Sequence, residues 1–149
     1  MEASAAPSVI AVGVDGSEHA QRALRWAIDE ARFRSAAVRV VTAWHVPLVV
    51  QERGTGSAPP VMVSLEDLVR EAAEGVGTAA ADEVRHAGVQ ALDPLVRKGH
   101  AADVLVDVSN GSDLLVVGSR GHGGFSGLLA GSVSMQCVQH SHCPTTVVH

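Results

Sequence analysis

The chain has 149 residues, of which 46% are hydrophobic and 18% are charged, a balance that predicts one globular domain whose core needs neither disulfides nor structural metal. Sixteen acidic against eleven basic residues leave a net charge of −5 with no basic run, which argues against nucleic acid as a partner. No apolar run approaches the ~20 residues that a membrane-spanning helix needs.

The N-terminal segment and the two cysteines indicate where such a domain works. Residues 1–7 carry an acid and lack the basic and then apolar pattern of a signal peptide, and we expect them to be flexible. Cys137 and Cys143 fit a reducing compartment as free thiols. We therefore expect a cytoplasmic protein whose single domain spans residues 1–149.

Apolar periodicity predicts a strand, a helix and a second strand in the first third of the chain. Residues 9–14 form a continuous apolar run, typical of a strand covered on both faces. Ser17 is a natural N-cap for the helix that follows, whose apolar residues recur at helical spacing from Ala20 to Ala31. Residues 38–43 are predicted as the second strand, which closes a β-α-β unit with a right-handed crossover.

The middle of the chain is predicted as a long loop, a helix and an edge strand. Residues 47–64 hold glycines and prolines among polar residues, which favours a mobile surface loop. Helical spacing returns at Leu65 and continues to about His86. The segment 89–96 is β-like but contains Pro94, which cannot donate to a central ladder, so this third strand is expected at an edge of the sheet.

The last third of the chain is predicted to continue the alternation. A short helix is expected over Ala101–Ser109, and the apolar residues 114–117 are typical of a central parallel strand. A glycine-rich loop, residues 118–131, then leads into a helix over 132–139, and the last strand is Thr145–Val148. Five strands and four helices in this order predict one doubly wound α/β domain.

The loop after the fourth strand carries the strongest functional signal. Residues 118–134 contain six glycines and four serines, and glycines let backbone N–H groups approach an anion closely. Ser132 and Ser134 add hydroxyls at the start of a helix, whose N-terminus favours phosphate without a lysine. The pattern predicts a polyphosphate site, while a P-loop and a dinucleotide-binding Rossmann site are excluded by the missing motif and by the loop's late position.

The spacing Gly118-x2-Gly121-x9-Gly131-Ser132 resembles the signature of the ATP-binding branch of the universal stress protein family. The resemblance covers almost the whole chain, from Val-Gly-Val-Asp-Gly-Ser at the first strand to the last strand. It implies a five-stranded parallel sheet of order 3-2-1-4-5, related to the adenine-nucleotide alpha-hydrolase fold, which binds ATP between strands one and four.

The same resemblance implies a nucleotide site of nine residues: Gly13, Asp15, Val41, Gly118, Gly121, Gly131, Ser132, Val133 and Ser134. The first two would meet the nucleoside, and Val41 would offer backbone contacts to adenine. Gly118 and Gly121 would border the ribose and the α-phosphate, and the last four residues would receive the phosphates. Magnesium often accompanies the nucleotide, and Asp15 is the residue expected to hold it.

Plainer explanations exist for several of these residues. A carboxylate such as Asp15 can simply favour the positive end of the first helix, and Gly13 can serve a close crossing of strands. His140 and His142 beside Cys143 have the spacing of metal ligands, but the sequence shows no second ligand cluster to complete a metal site.

The sequence favours binding over catalysis. No nucleophile–base pair or pair of carboxylates can be recognised, so we expect an ATP-binding stress or regulatory module with slow or no hydrolysis. The alternative is a nucleotide-free module of the same fold that docks partners, and a nucleotide-transforming enzyme lacks its usual motifs here. Thr145–Val148 would be an exposed apolar edge, which predicts a homodimer through this strand.

Overall fold

The structure, a computed structural model, describes residues 5–46, 60–121 and 131–149. Strands and helices alternate through these ranges. In chain order they are β1 (Val9–Gly13), α1 (Glu18–Arg34), β2 (Ala37–Trp44), α2 (Pro60–His86), β3 (Leu95–Lys98), α3 (Ala101–Ser109), β4 (Leu114–Gly118), α4 (Ser132–His140) and β5 (Thr145–Val148).

The five strands form one parallel sheet of order β3-β2-β1-β4-β5. β1 is its centre, where Val12 pairs with Val40 of β2 on one side and with Val116 of β4 on the other. The order confirms the predicted topology, including the outermost place of the third strand. Because the chain runs outward from β1 in both directions, the carboxyl ends of β1 and β4 mark the point where a doubly wound sheet binds ligands.

Helices cover both faces of the sheet. α1 and α2 pack on one face over a core that includes Ile10, Leu24 and Val84. α3 and α4 pack on the other face over a smaller core that includes Leu105 and Cys137. Within the described ranges, no helix is long and apolar enough to span a bilayer.

The predicted loop over residues 47–64 is wrong at its end, because α2 begins at Pro60. Proline is well tolerated at the first helical position, where its fixed φ suits the helix and its missing N–H would have no partner. Because the prediction took Pro60 for a loop residue, it placed the start of the helix too late, at Leu65. Residues 47–59 of that loop, like residues 1–4, lie outside the described residues.

The third strand is shorter and later than predicted. The ladder with β2 runs over Leu95–Lys98, whereas the earlier part of the predicted strand makes one isolated bridge, between Ala91 and Val38. Pro94 lies between the two pieces and cannot donate a backbone hydrogen bond. The proline that predicted an edge strand thus also divides that strand.

Candidate functional site

A pocket opens at the carboxyl ends of β1 and β4, between the turn after β1 and the first turn of α4. The structure brings every one of the nine predicted contact residues to its wall: Gly13, Asp15, Val41, Gly118, Gly121, Gly131, Ser132, Val133 and Ser134. These residues come from four separate segments of the chain. Their meeting at one place follows from the sheet order, which sets the ends of β1 and β4 side by side.

The turn after β1 holds Asp15 at the rim of the pocket. One carboxylate oxygen, Oδ1, accepts a hydrogen bond from the backbone N–H of Ser17 at 2.9 Å, and Gly16 between them has φ 83°, a conformation that favours glycine. The hydroxyl of Ser17 in turn accepts from the N–H of Ala20 at 3.2 Å and caps α1. The predicted N-cap is confirmed, and it fixes the approach of Asp15 to the pocket.

Gly121 faces Asp15 across the pocket rim. A Cβ added to Gly121 would lie 2.7 Å from Asp15 Oδ2, which is closer than real Cβ atoms come to other heavy atoms. A side chain at this position would have to displace the Asp15 carboxylate, and glycine leaves the carboxylate in place. The same carboxylate is thus held between two backbone segments, one after β1 and one after β4.

Gly118 lacks a side chain for a different reason. Its Cβ would lie 2.8 Å from the backbone carbon and oxygen of His19 in α1, on the sheet face opposite α3 and α4. This glycine lets α1 pack closely on β4. Its place at the pocket wall is a consequence of where β4 ends, and the packing of α1 is enough to explain the residue type.

Ser119 joins the end of β4 to the start of α4. Its carbonyl accepts the N–H of Gly131 at 2.5 Å, and its own N–H donates to the carbonyl of Val148 at 2.8 Å. The hydroxyl of Ser134 donates to the carbonyl of Gly131 at 2.9 Å and lies 3.3 Å from the carbonyl of Ser119. These bonds anchor the two ends of the glycine-rich loop against each other.

Ser134 lines the pocket, but its hydroxyl is not the group that it offers to a ligand. Its side chain is 2% exposed, and its hydroxyl proton is engaged inside the fold. What remains for a ligand is its backbone. Ser132, Val133 and Ser134 are the first three residues of α4, whose N–H groups have no carbonyl partner within the helix.

The N-cap residue of α4 offers these N–H groups no side-chain acceptor. Gly131 is the N-cap residue, with φ −77° and ψ 168°, and it has no side chain to accept from them. The amides of the first turn, which lack a carbonyl partner within the helix, concentrate about half a positive charge at this helix end. Among the described pocket residues, the first turn of α4 is thus a feature built to receive negative charge.

Beyond the nine predicted residues, the pocket wall includes the charged residue Arg120 and an apolar side that was not predicted. Ala43 at the end of β2, and Ala101 and Leu105 of α3, form this side together with Val117 of β4. Leu105 lies 3.1 Å from where a Cβ of Gly13 would be, so Gly13 makes room for this wall. These residues could have been found by asking which segments end at the carboxyl edge of the sheet beside β1.

Val41 lies at the floor of the pocket and is 1% exposed. Its carbonyl accepts the N–H of Val14 at 2.9 Å, and its backbone pairs with Gly13 on one side and Leu95 on the other. A backbone contact from Val41 to a base would therefore use the second lone pair of an engaged carbonyl.

Neither the two cysteines nor His140 and His142 are among the described residues that line this pocket. Cys137 is fully buried in the core, and burial raises the pKa of its thiol to about 11. Burial also raises the pKa of Cys143, and the negative charge of Asp113 adds to that effect. His140 and His142 line a cleft between α3 and α4, and no cluster of three potential metal ligands occurs in the described part of the chain.

Sequence comparison identifies relatives over nearly the whole chain. The model of the universal stress protein family matches residues 8–149. A universal stress protein of Mycolicibacterium smegmatis is 32% identical over 151 residues, covering 100% of this chain and 50% of the relative. One of Mycobacterium tuberculosis is 32% identical over 140 residues, covering 94% of this chain and 47% of the relative. The chain thus spans about half the length of these curated relatives.

Solved structures share this fold over nearly the full length of this chain and of the chain compared with it. A universal stress protein of Lactobacillus plantarum superposes with a TM-score of 0.78 at 22% identity, covering 97% of this chain and 99% of the other. A universal stress protein in complex with cAMP gives 0.67 at 25% identity, covering 97% and 98%. One from Archaeoglobus fulgidus in complex with dAMP gives 0.65 at 24% identity, covering 95% and 98%.

Proposed function

The chain belongs to the universal stress protein family, and we propose that it binds ATP with Mg²⁺ in the pocket between β1 and β4. The observation that supports this most is the meeting of an apolar wall with the bare first turn of α4 in one pocket. An adenine nucleotide has the matching division, because its base is flat and largely apolar on its faces and its phosphates are anionic.

Each part of the nucleotide has a place in the proposal. Ala43, Ala101 and Leu105 bury the adenine and exclude water from it. The N–H groups of Ser132 and Val133 donate to the phosphates, where charge-assisted hydrogen bonds are the strongest that neutral donors make. The anion is held by backbone, at the first turn of α4.

The residues present fit a magnesium ion beside the phosphates. Mg²⁺ is typically held by one or two carboxylates together with phosphate oxygens and water, and Asp15 supplies one carboxylate at the pocket rim. When bound, the ion supplies positive charge that offsets the repulsion between Asp15 and the phosphates. Asp15 therefore favours binding of a nucleotide that carries magnesium and opposes binding of one that does not.

The proposed nucleotide class agrees with the relatives. One solved structure of the family holds cAMP and another holds dAMP. For this chain we favour ATP, because a carboxylate at the rim and several bare amides suit a longer phosphate chain with its cation.

The function we propose is nucleotide-responsive regulation in stress, with slow or no hydrolysis. The charged side chains among the described pocket residues are Asp15 and Arg120, and no histidine or cysteine lines it there. Hydrolysis needs a group that activates water, and this set holds the nucleotide without offering a strong base. The proposal includes a cytoplasmic location, where Cys137 and Cys143 stay reduced.

We also propose that the chain forms a homodimer through β5. This strand is the last in the sheet order, with β4 on one side, and a free sheet edge readily pairs with another strand. A second copy supplies an identical strand, and two antiparallel copies satisfy both edges at once.

The test is to denature freshly purified protein, identify the released small molecules by mass spectrometry, and titrate the nucleotide-free protein with ATP and Mg²⁺. Gly131→Asp is the variant of choice. A Cβ at this position would meet nothing closer than 3.4 Å, and aspartate is a favoured N-cap. The new carboxylate would occupy the amides that the phosphates need, so ATP affinity should fall at least about 100-fold with the fold retained.

Gly131→Ala is the matched control, because it adds the same Cβ without a charge, and it should keep most of the affinity. Equal nucleotide binding by wild type and Gly131→Asp would reject the site. Wild-type protein that releases no nucleotide and gives no heat with ATP would support the alternative, a nucleotide-free module that docks partners.

A further inference from the structure

Ser119 separates residues of the β4 end and its loop that line the pocket. Gly118, Arg120 and Gly121 belong to the pocket wall, whereas Ser119 is not among the described residues that line it. The side chain of Ser119 is directed toward α1, where its Oγ lies 3.3 Å from Nδ1 of His19. Ser119 is 2% exposed, so little solvent reaches this hydroxyl.

The contact between His19 and Ser119 joins side chains that are 100 residues apart in the chain. A ring that carries its proton on Nε2 leaves Nδ1 as an acceptor, and the Ser119 hydroxyl then donates to it. Among the described residues, His19 is the only partner of this hydroxyl. Loss of that partner would leave a buried hydroxyl unsatisfied, which is costly.

Packing fixes the place of His19. A Cβ on Gly118 would come within 2.8 Å of the backbone carbon and oxygen of His19 and 3.0 Å from its Cβ, so the first turn of α1 sits directly on the end of β4. The imidazole therefore reaches Ser119 from a backbone that is held in place. Binding sites depend on such packed residues behind their walls to keep the groups that touch a ligand in position.

Ser119 also holds the start of α4. Its carbonyl accepts the N–H of Gly131 at 2.5 Å and lies 3.3 Å from the hydroxyl of Ser134. Gly131 is the N-cap of α4, and the amides that follow it are those proposed to bind the phosphates. A shift of Ser119 would therefore move the phosphate-binding turn.

The first turn of α1 is tied to Asp15 as well. The N–H of Ser17, the N-cap of α1, donates to Asp15 Oδ1 at 2.9 Å, and His19 is the second residue of this helix. The same turn thus contacts the carboxylate proposed for magnesium and, through Ser119, the start of α4. These two parts must keep a fixed separation, because Mg²⁺ binds a carboxylate and phosphate oxygens at the same time.

We propose that His19 is a positioning residue of the nucleotide site, which holds the first turn of α4 at the distance from Asp15 that a nucleotide with Mg²⁺ requires. It acts through the hydroxyl of Ser119 and touches no ligand itself. The proposal rests on the nucleotide function given above, and it assigns part of the affinity for the phosphates to a side chain behind the pocket wall.

Titrations of variants with ATP and Mg²⁺, and separately with adenosine, test the proposal. His19→Leu removes Nδ1 and keeps a bulky side chain, and Ser119→Ala removes the hydroxyl. Each should weaken binding of ATP with Mg²⁺ about 10-fold, as expected for the loss of one hydrogen bond, and should leave adenosine binding unchanged. The double variant should be no weaker than either single variant, because both substitutions remove the same contact.

His19→Asn provides the rescue. The Oδ1 of asparagine takes the place of Nδ1 as acceptor, so this variant should bind ATP like wild type. A role of the imidazole in packing alone would not be restored by the smaller asparagine. His86→Leu is the matched control, because Nδ1 of His86 also makes a hydrogen bond, to the carbonyl of Asp82 at 2.7 Å, but at the end of α2. Its ATP affinity should equal that of wild type.

Amide hydrogen exchange gives a readout that needs no nucleotide. The N–H of Gly131 should exchange about 10-fold faster in His19→Leu and Ser119→Ala than in wild type and His19→Asn, because its acceptor is the carbonyl of Ser119. The N–H of Leu115 in β4, which donates to the carbonyl of Pro144 at 2.9 Å, reports any loss of overall stability. The increase at Gly131 should exceed any increase at Leu115.

Two results would overturn the proposal. ATP affinity and Gly131 exchange that stay unchanged in both His19→Leu and Ser119→Ala would show that the contact positions nothing. Equal losses in His19→Leu and His19→Asn would show that the size of the imidazole matters and its Nδ1 does not. A wild type that binds no ATP would instead reject the nucleotide function, and the exchange of Gly131 would still decide whether His19 holds the start of α4.

Discussion

The two faces of the sheet differ in the length of the helices that cover them and in the size of the apolar core beneath those helices. On one face, α1 and α2 run for 17 and 27 residues over a large apolar core. On the other, α3 and α4 have nine residues each and cover a smaller core, which ends at the pocket. The first face holds most of the core, and the second is less packed at its carboxyl edge, where the pocket lies.

The glycines show how this difference is encoded. Gly118 opens space toward α1, so it serves the packed face. Gly13 opens space toward Leu105, and Gly121 toward Asp15, so both serve the open face. Glycines that belong to one motif in the sequence thus have two physical purposes, and substitutions should separate them.

The largest effect is expected on the packed face. Gly118→Ala would set a Cβ 2.8 Å from the backbone of His19, and backbone cannot give way as a flexible side chain does. We expect the free energy of unfolding in urea to fall by about 3 kcal/mol.

Gly75→Ala makes the same chemical change where nothing lies within 4 Å of the new Cβ, in the middle of α2. It should raise stability by about 1 kcal/mol. Equal effects of the two substitutions would show that α1 does not press on Gly118.

A pH dependence of similar size is expected on the open face. Burial raises the pKa of the Cys137 thiol from 9.0 to about 11, so the folded state favours the neutral thiol. This stabilisation is complete below about pH 9 and is lost as pH rises from about 9 to about 11, and it amounts to about 2 to 3 kcal/mol.

Urea unfolding of wild type and Cys137→Ala between pH 8 and pH 11 measures this contribution. The variant should be less stable at pH 8 because of the cavity it leaves, and its stability should fall less steeply with pH. Parallel curves for the two proteins would mean that the thiol does not titrate with the fold.

The smallest effect concerns a hydroxyl buried on the packed face. Thr42 is 3% exposed, and its Oγ1 has no hydrogen-bond partner among the described residues. The backbone of α2 lies over it, since a Cβ at Gly77 would be 3.6 Å from that oxygen. Thr42→Val should therefore raise the free energy of unfolding by about 1 kcal/mol.

Thr42→Ser, which keeps the hydroxyl and loses the methyl group, should lower stability instead. If Thr42→Val lowered stability instead, the Thr42 hydroxyl would have a hydrogen-bond partner. The face covered by α1 and α2 would then contain a buried polar contact at this position.

Much of the fold could be predicted from patterns of apolar residues and of helix-breaking residues. Ala101–Ser109 and Thr145–Val148 match their predicted bounds residue for residue, since glycine and proline mark their limits. The start of α2 was missed because a proline can begin a helix as well as end one, and periodicity alone does not tell the two cases apart. The division of β3 was missed because Pro94 was used only to place the strand at the sheet edge.

Only part of the candidate site could be predicted from the sequence. The residues of the glycine motif could be predicted to lie together because they are close in sequence. Ala43, Ala101 and Leu105 come from separate elements and have no distinctive residue type. The internal hydrogen bonds of Ser134 could not be foreseen either. Their acceptors are backbone carbonyls, whose positions depend on how the loop ends meet.

The central claim is that bare amides in the first turn of α4 hold the phosphates of a nucleotide. Backbone amide NMR of this 15.4 kDa chain during separate titrations with adenosine and with ATP and Mg²⁺ tests it most directly. The account predicts that the amides of Ser132, Val133 and Ser134 shift strongly with ATP and only slightly with adenosine. ATP binding that leaves these three resonances in place would contradict it.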